Sequence, residues 1–334
     1  MKKNTSYKLR FILLFVLFIA VFFLSFMLGR YKIFPDELVK IILGLETENI
    51  DAVTVVLNIR LPRVLAALLI GASLSVSGAS YQGMFRNPLV SPDILGASSG
   101  AGFGASLAII LSLSYFSISL FAFLFGLLSV ILAYILSKIG RGNSTLSMVL
   151  SGIMIGSLFS AMTSFIKLIA DTNSVLPQIT YWLMGSLSSI KKADIYFLLP
   201  ITVICMLPIL LLRWRINLLT TGDFDAKSMG VNVKLLKFII IICATLLTAS
   251  CVAVSGMIGF VGLVIPHFAR RIFGYDYRRV LPASILLGST FLMLTDDIAR
   301  TLTTSEIPLG ILTSFVGVPV FIYLIISRGE RYEY

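Results

Sequence analysis

Apolar residues fall in long unbroken stretches instead of alternating with polar ones. The first run extends from Phe11 to Leu28. Others cover about 61–83, 95–112, 115–137, 146–169, 193–213, 235–254, 256–273, 280–299 and 308–327. Roughly 20 apolar residues cross a bilayer as a helix. The pattern therefore predicts an all-α, polytopic membrane protein with ten transmembrane helices in a single membrane domain over residues 1–334. The first run is too long for a signal peptide and no small-x-small cleavage site follows it, so it reads as the first span.

The polar intervals carry further elements. Pro35-Asp36-Glu37 opens a segment in which Leu38, Ile41, Ile42 and Leu45 recur at helical spacing, which predicts a short amphipathic helix on the outer surface. Residues 86–96 contain Pro88 and Pro92, and such broken backbone is tolerated only inside protein or beside water. Residues 171–192 include Tyr181-Trp182-Leu183-Met184-Gly185 and read as an amphipathic segment at the outer rim of a cavity. Residues 214–234 carry a helix-start signal at Asp223 and a stop at Gly230. A short helix at the cytoplasmic face suits docking of another protein; the plainer reading is a connector. Gly100/Gly104 and Gly152/Gly156 are small-xxx-small pairs, which let helices pack closely.

Composition agrees with this class. Of 334 residues, 57% are hydrophobic and 13% charged, where a soluble domain has about 25% charged. A soluble enzyme, a disordered chain and a disulfide scaffold are excluded. The net charge of +11 suits basic cytoplasmic loops, and no basic–aromatic interleaving points to nucleic acid. With both termini cytoplasmic, eighteen of the 27 Lys and Arg residues fall inside, as the positive-inside rule requires. Arg60, Arg63 and Arg300 fall outside.

Little catalytic chemistry is visible. No P-loop is present, so this chain does not bind ATP that way. Cys205, Cys243 and Cys251 lie in apolar runs at spacings that fit no metal site, and read as small core residues. One histidine, His267, excludes a multi-histidine metal site and reads as a hydrogen-bonded packing residue. Asp296 stands four residues before Arg300, which predicts a helical ion pair. Asp297 beside it is the one candidate for the buried acid that an ion-coupled secondary carrier needs.

Several motifs belong together: Arg60-Leu61-Pro62-Arg63, Gly71 through Gly78, Gln82-Gly83, Asn87-Pro88-Leu89, Tyr181-Trp182-x-Met184-Gly185, Gly222-Asp223 with Ala226 and Gly230, Gly259-Phe260-Val261-Gly262-Leu263-Val264-x-Pro266-His267, Asp296-x-x-Ala299-Arg300 and Gly317-x-Pro319-x-Phe321. Jointly, from about residue 55 onward, they resemble the permease subunits of bacterial type II ABC importers, the iron–siderophore, haem and cobalamin uptake family. The resemblance implies that family's ten-helix permease fold in the bacterial cytoplasmic (inner) membrane. It implies a homo- or heterodimer of permeases around a central pathway. Two separate ATPase subunits would hold ATP and magnesium, and an extracytoplasmic substrate-binding protein would deliver cargo. The chain itself would be no enzyme, bind no cofactor or metal, and contact lipid but no nucleic acid. By the same resemblance, Arg60, Arg63 and Arg300 would dock carboxylates of the binding protein, with ordinary surface charge as the plainer reading. Gly222, Asp223, Ala226, Lys227 and Gly230 would form the loop that couples to the ATPase, and Thr145 would lie at a cytoplasmic gate. Leu146 and Asp297 depart from the family pattern. The implied cargo is an iron–siderophore complex, with haem, cobalamin or a molybdate-type oxyanion as alternatives. A secondary carrier using Asp296 or Asp297 and a non-transporting scaffold or sensor are rival classes.

Overall fold

The computed structural model describes residues 2–45, 49–139 and 145–329, and these are helical with no strand. The helices are α1 (Lys2–Met27), α2 (Pro35–Ile42), α3 (Ile50–Thr54), α4 (Leu61–Phe85), α5 (Ala97–Ile110), α6 (Tyr115–Ile139), α7 (Thr145–Ile169) and α8 (Val175–Leu183). They continue with α9 (Lys192–Leu211), α10 (Arg213–Thr221), α11 (Asp223–Ser228), α12 (Val233–Ser255), α13 (Val261–Phe273), α14 (Tyr277–Thr301) and α15 (Leu309–Gly329).

Each of the ten apolar runs coincides with a helix, but the helices differ in reach. Among the described residues, seven stretches are long and apolar enough to cross a membrane. The others are α5, α13 and the apolar part of α15, Leu309–Tyr323. At a rise of 1.5 Å per residue, the 14 residues of α5 and the 13 of α13 extend only about 20 Å, against about 30 Å of hydrocarbon. Irregular backbone precedes both. Before α5 the chain leaves α4 through Arg86 at φ 51° and makes a 3₁₀ turn at Pro92–Leu95. Before α13 it passes residues 256–260, with Phe260 at φ 65°. The first break is enclosed in protein: Gln82 Nε2 donates to the carbonyls of Val90 (3.1 Å) and Leu263 (3.2 Å), and Ser129 Oγ donates to Gly96 O at 2.8 Å.

The second span starts earlier than its apolar run suggests. A π-helical turn at Val55–Arg60 joins α3 to α4 in one rod from Ile50 to Phe85. Pro62 cannot donate a backbone hydrogen bond, and a wider turn before it absorbs the mismatch.

α4 is the centre of the bundle, packed on α9, α12, α13 and α14. Nearly all its residues are buried, including Ser73, Ser75, Ser77 and Ser80. Small residues set this position. A Cβ at Gly71 would overlap the Gly288 carbonyl, and one at Gly78 the Gly262 carbonyl, so α4 meets α14 and α13 backbone to backbone. Gly100 and Gly104 seat α5 against the Phe125 and Phe121 carbonyls of α6 in the same way. Large apolar side chains such as Phe15, Leu128, Phe165 and Leu199 are exposed on the perimeter, as a surface facing lipid or a partner helix requires. The amphipathic α2 buries Leu38 and Ile41 but ends at Ile42, leaving Ile42 and Leu45 exposed.

Candidate functional site

At the predicted outer end, α1, α4, α14 and the segment before α15 converge on a buried charge cluster. Arg60, Arg63 and Arg300 are only 3%, 6% and 6% exposed. The surface-charge reading of these arginines is therefore wrong, because their guanidinium groups are buried and find their partners inside the chain, Arg300 Nε being the one buried nitrogen among them that makes no hydrogen bond. Arg63 Nε and Nη2 donate to Asp296 at 2.9 Å, and its Nη1 and Nη2 donate to Glu306 at 2.9 Å. Arg300 pairs closely with Asp297 and more loosely with Asp296, at 3.7 Å. Arg60 donates to the carbonyls of Phe26 and Tyr31. The expected Asp296–Arg300 pair is thus the weaker contact. Asp297 also accepts from Ser25 Oγ at 2.7 Å, so neither aspartate is a free acid.

Glu306 ties the segment before α15 to this cluster. Tyr181 Oη donates to the Glu306 carbonyl at 3.1 Å, Leu309 N–H to Gly185 O at 2.8 Å and Gly310 N–H to Met184 O at 3.0 Å. The Tyr181–Gly185 motif is thereby fastened to the start of α15. Below it an open cavity of about 430 Å³ is lined by Leu183, Met184, Met257, Ser314 and Phe315.

A second groove, about 490 Å³, runs between the start of α5 and one face of α7, past Asp93, Ser99, Ser157 and Ser160. Gly152 and Gly156 let α7 approach the 3₁₀ turn there. Thr145 is the first residue of α7.

At the opposite end, α10 and α11 form the connection between α9 and α12. Gly222, at φ +131°, turns the chain between them, and Gly230, at φ +82°, ends the loop. Ala226 is fully buried against the core, while Phe224 on the same short helix is 81% exposed. Met229 is also exposed, as is Lys227. Asp223 binds Lys237 at 2.6 Å. Behind α10, Asn217 Nδ2 donates to Asp276 at 2.7 Å and Asn217 Oδ1 accepts from the Tyr277 N–H at 2.7 Å, joining α10 to the start of α14. Partial burial pushes the Asp276 carboxyl upward, but hydrogen bonds from Arg278 and Asn217 outweigh it and bring the group down to about 2. His267 is buried, its Nδ1 lying 3.0 Å from Leu263 O and 3.2 Å from Arg270 Nη2, in keeping with a packing role.

A family model described as the FecCD transport family matches residues 17–327. The chain belongs to the FecCD transport family. Its relatives include the molybdate import system permease protein MolB of Haemophilus influenzae, 38% identical over 315 residues, which cover 93% of this chain and 94% of that one. A probable iron chelatin transport system permease protein of Helicobacter pylori is 43% identical over 291 residues, 85% of this chain and 87% of that one. Among solved structures, an inward-facing conformation of a transporter described as a putative metal-chelate type ABC transporter superposes with a TM-score of 0.85 at 36% identity, covering 94% of this chain and 97% of that chain. This FecCD protein is an ABC importer permease with the type II fold, and a multi-pass protein of the inner membrane.

In this FecCD permease the fold brings Arg60, Arg63, Arg300, Asp296 and Asp297 together at one end. Gly222, Asp223, Ala226, Lys227 and Gly230 gather at the other. Sequence reasoning missed Glu306, Ser99, Ser157, Ser160 and Phe224. Glu306 did leave a signal, being the only glutamate between residues 49 and 329. The serines left none, since serine is frequent in every apolar run of this chain.

Proposed function

We propose that this FecCD permease imports a chelated metal, with a ferric siderophore as the cargo, as one half of a permease dimer whose termini face the cytoplasm. The observation that carries this reading is the superposition, over 94% of the chain, on a protein described as a metal-chelate transporter. The iron chelatin relative agrees with it. Haem and cobalamin, also metal chelates, fall within the same reading. Two ATPase subunits holding ATP and magnesium dock at α11. In support, Phe224 on it and Met229 just after it are exposed beside the buried Ala226, an apolar pair that suits a partner surface. Closure of the ATPases moves α11 and rocks the helices between outward and inward openings. Thr145, at the head of α7, belongs to the cytoplasmic gate, and the serine-lined groove along α7 belongs to the pathway.

The binding protein docks at the outer arginine cluster. Its carboxylates meet guanidinium groups that already hold internal partners, so docking is an exchange of acids on Arg63. Glu306, with its side chain 27% exposed against 3% for Asp296, is the one that yields. Because Asp296 and Asp297 are both arginine-paired, the ion-coupled carrier loses its candidate acid.

A second reading has a specific support: MolB matches over 93% of the chain, which favours molybdate. Proteoliposomes holding the permease, its ATPase and its binding protein separate the two. Uptake of radioactive iron as a ferric siderophore, dependent on ATP, is the expected result. ATP-dependent uptake of molybdate without siderophore uptake would overturn it.

A further inference from the structure

A cavity of about 230 Å³ opens where the cytoplasmic ends of α4 and α6 meet α11 and the start of α12. Four lysines line it: Lys138, Lys227, Lys234 and Lys237. Asp223 is the sole acid in the lining, and it is spent on Lys237 at 2.6 Å. Lys138 stacks over the Tyr134 ring at 5.2 Å. Among the described residues, Lys227 and Lys234 have no ion pair. Three positive charges are thus left uncompensated round one small space. The cavity also lies at the N-terminal end of the 23-residue α12, where the aligned peptide dipoles favour an anion.

The walls are apolar. Phe85, Tyr134 and Phe238 line the cavity. Ile131, Tyr134 and Lys138 are spaced to share one face of α6, and Lys234, Phe238 and Ile242 one face of α12. On both helices the face that carries a lysine at the cavity continues, toward the membrane interior, into exposed apolar side chains: Ile131 on α6, Phe238 and Ile242 on α12. A soluble anion would use the lysines and leave these strips unused. A molecule anionic at one end and apolar along its length uses both. The volume is below the ~300–1,000 Å³ typical of sites that enclose a whole drug-sized ligand, which suits a headgroup with its tails outside.

We propose that this cavity binds the phosphate of an anionic phospholipid of the inner leaflet, its acyl chains lying along α6 and α12. Basic pockets between membrane helices on the cytoplasmic side are suited to such headgroups. The lipid would bridge α6 and α12 to Lys227 of α11, and so hold α11 against the bundle. Such a lipid site is independent of the cargo and rests only on the cytoplasmic placement of this end.

Native mass spectrometry of the full-length permease in mild detergent tests it, with phosphatidylglycerol, phosphatidylcholine and inorganic phosphate as the probes. Phosphatidylglycerol is expected to remain bound, phosphatidylcholine to be lost, and inorganic phosphate not to displace the lipid. Lys138→Gln with Lys234→Gln should weaken phosphatidylglycerol binding about 30-fold, taking about 1 kcal/mol per lysine near a charged surface. Lys138→Arg with Lys234→Arg should keep it, which separates lost charge from a damaged fold. Equal retention of phosphatidylcholine, or binding unchanged in the glutamine variant, would overturn the proposal. Displacement by inorganic phosphate would reassign the site to a soluble anion. Loss of the lipid when the ATPase is added would assign the lysines to that partner instead.

Discussion

Arg63 holds two carboxylates at once, and the two are unequal. Asp296 is buried between Arg63 of α4 and Arg300 of α14, while Glu306 lies at the rim. Removing the arginine strands a buried charge, which costs about 3–5 kcal/mol, whereas removing the rim acid leaves the inner pair intact. Arg63→Ala is therefore expected to lower the melting temperature of the purified permease steeply, and Glu306→Gln only slightly. Glu306→Gln should also tighten docking of an acidic binding protein, because one edge of the guanidinium is released. Surface plasmon resonance on immobilised permease reads this; unchanged or weaker docking would count against the exchange of acids. The residues of this cluster were visible in the sequence one by one, but the cluster was not. Arg63 and Asp296 are 233 positions apart, and helical spacing could predict only the local Asp296–Arg300 contact, the looser of the two that Arg300 makes.

At the level of elements, the sequence was most legible where local chemistry decides. The start signal at Asp223 and the glycine at 230 bracket α11, although Asp223 opens the helix as its first residue after Gly222 instead of capping it; left-handed backbone at Gly230 is a property of a few neighbouring residues. The ten runs likewise located ten helices. The break before α5 was legible from Pro88 and Pro92, whereas the one before α13 was not, because residues 256–260 lie inside an apolar run and hydropathy does not distinguish them from helix. The link from α10 to α14 through Asn217 and Asp276 depends on tertiary approach and was also invisible. It has a pH signature. With its carboxyl held near 2 against about 3.9 in an unfolded chain, Asp276 favours the folded form above pH 4. That contribution fades as pH falls through 2. Asp276→Asn should remove this part of the acid sensitivity, and it should lower stability at pH 7 by about 1 kcal/mol through loss of the ion pair with Arg278, since asparagine caps a helix as well as aspartate does. Thermal melts of both proteins between pH 2 and pH 7 check it; parallel curves would show that the carboxyl carries no such linkage.

The whole molecule is a small-residue bundle round α4. Its class was legible from hydropathy alone, whereas which helix would be central was not, since the span that holds α4 is less apolar than α9 and α12. The glycines decide that. A Cβ at position 78 would overlap the backbone carbonyl of Gly262, while one at position 259 would meet nothing within 4 Å. Gly78→Ala should thus abolish the monodisperse permease peak in detergent chromatography, and Gly259→Ala should leave it unchanged; a normal peak for Gly78→Ala would refute the backbone contact. The same contacts have a mechanical consequence. Where two helices touch through side chains, the layer between them can shear as rotamers change. Between α4 and its partners α13 and α14 there is no such layer at the crossing points, so the three form a chassis without suspension. Displacement delivered at the end that carries α10 and α11 cannot be absorbed inside that chassis. It falls on the joints that surround it, the irregular segments at residues 86–96 and 256–260, where continuous α-helical hydrogen bonding is already interrupted.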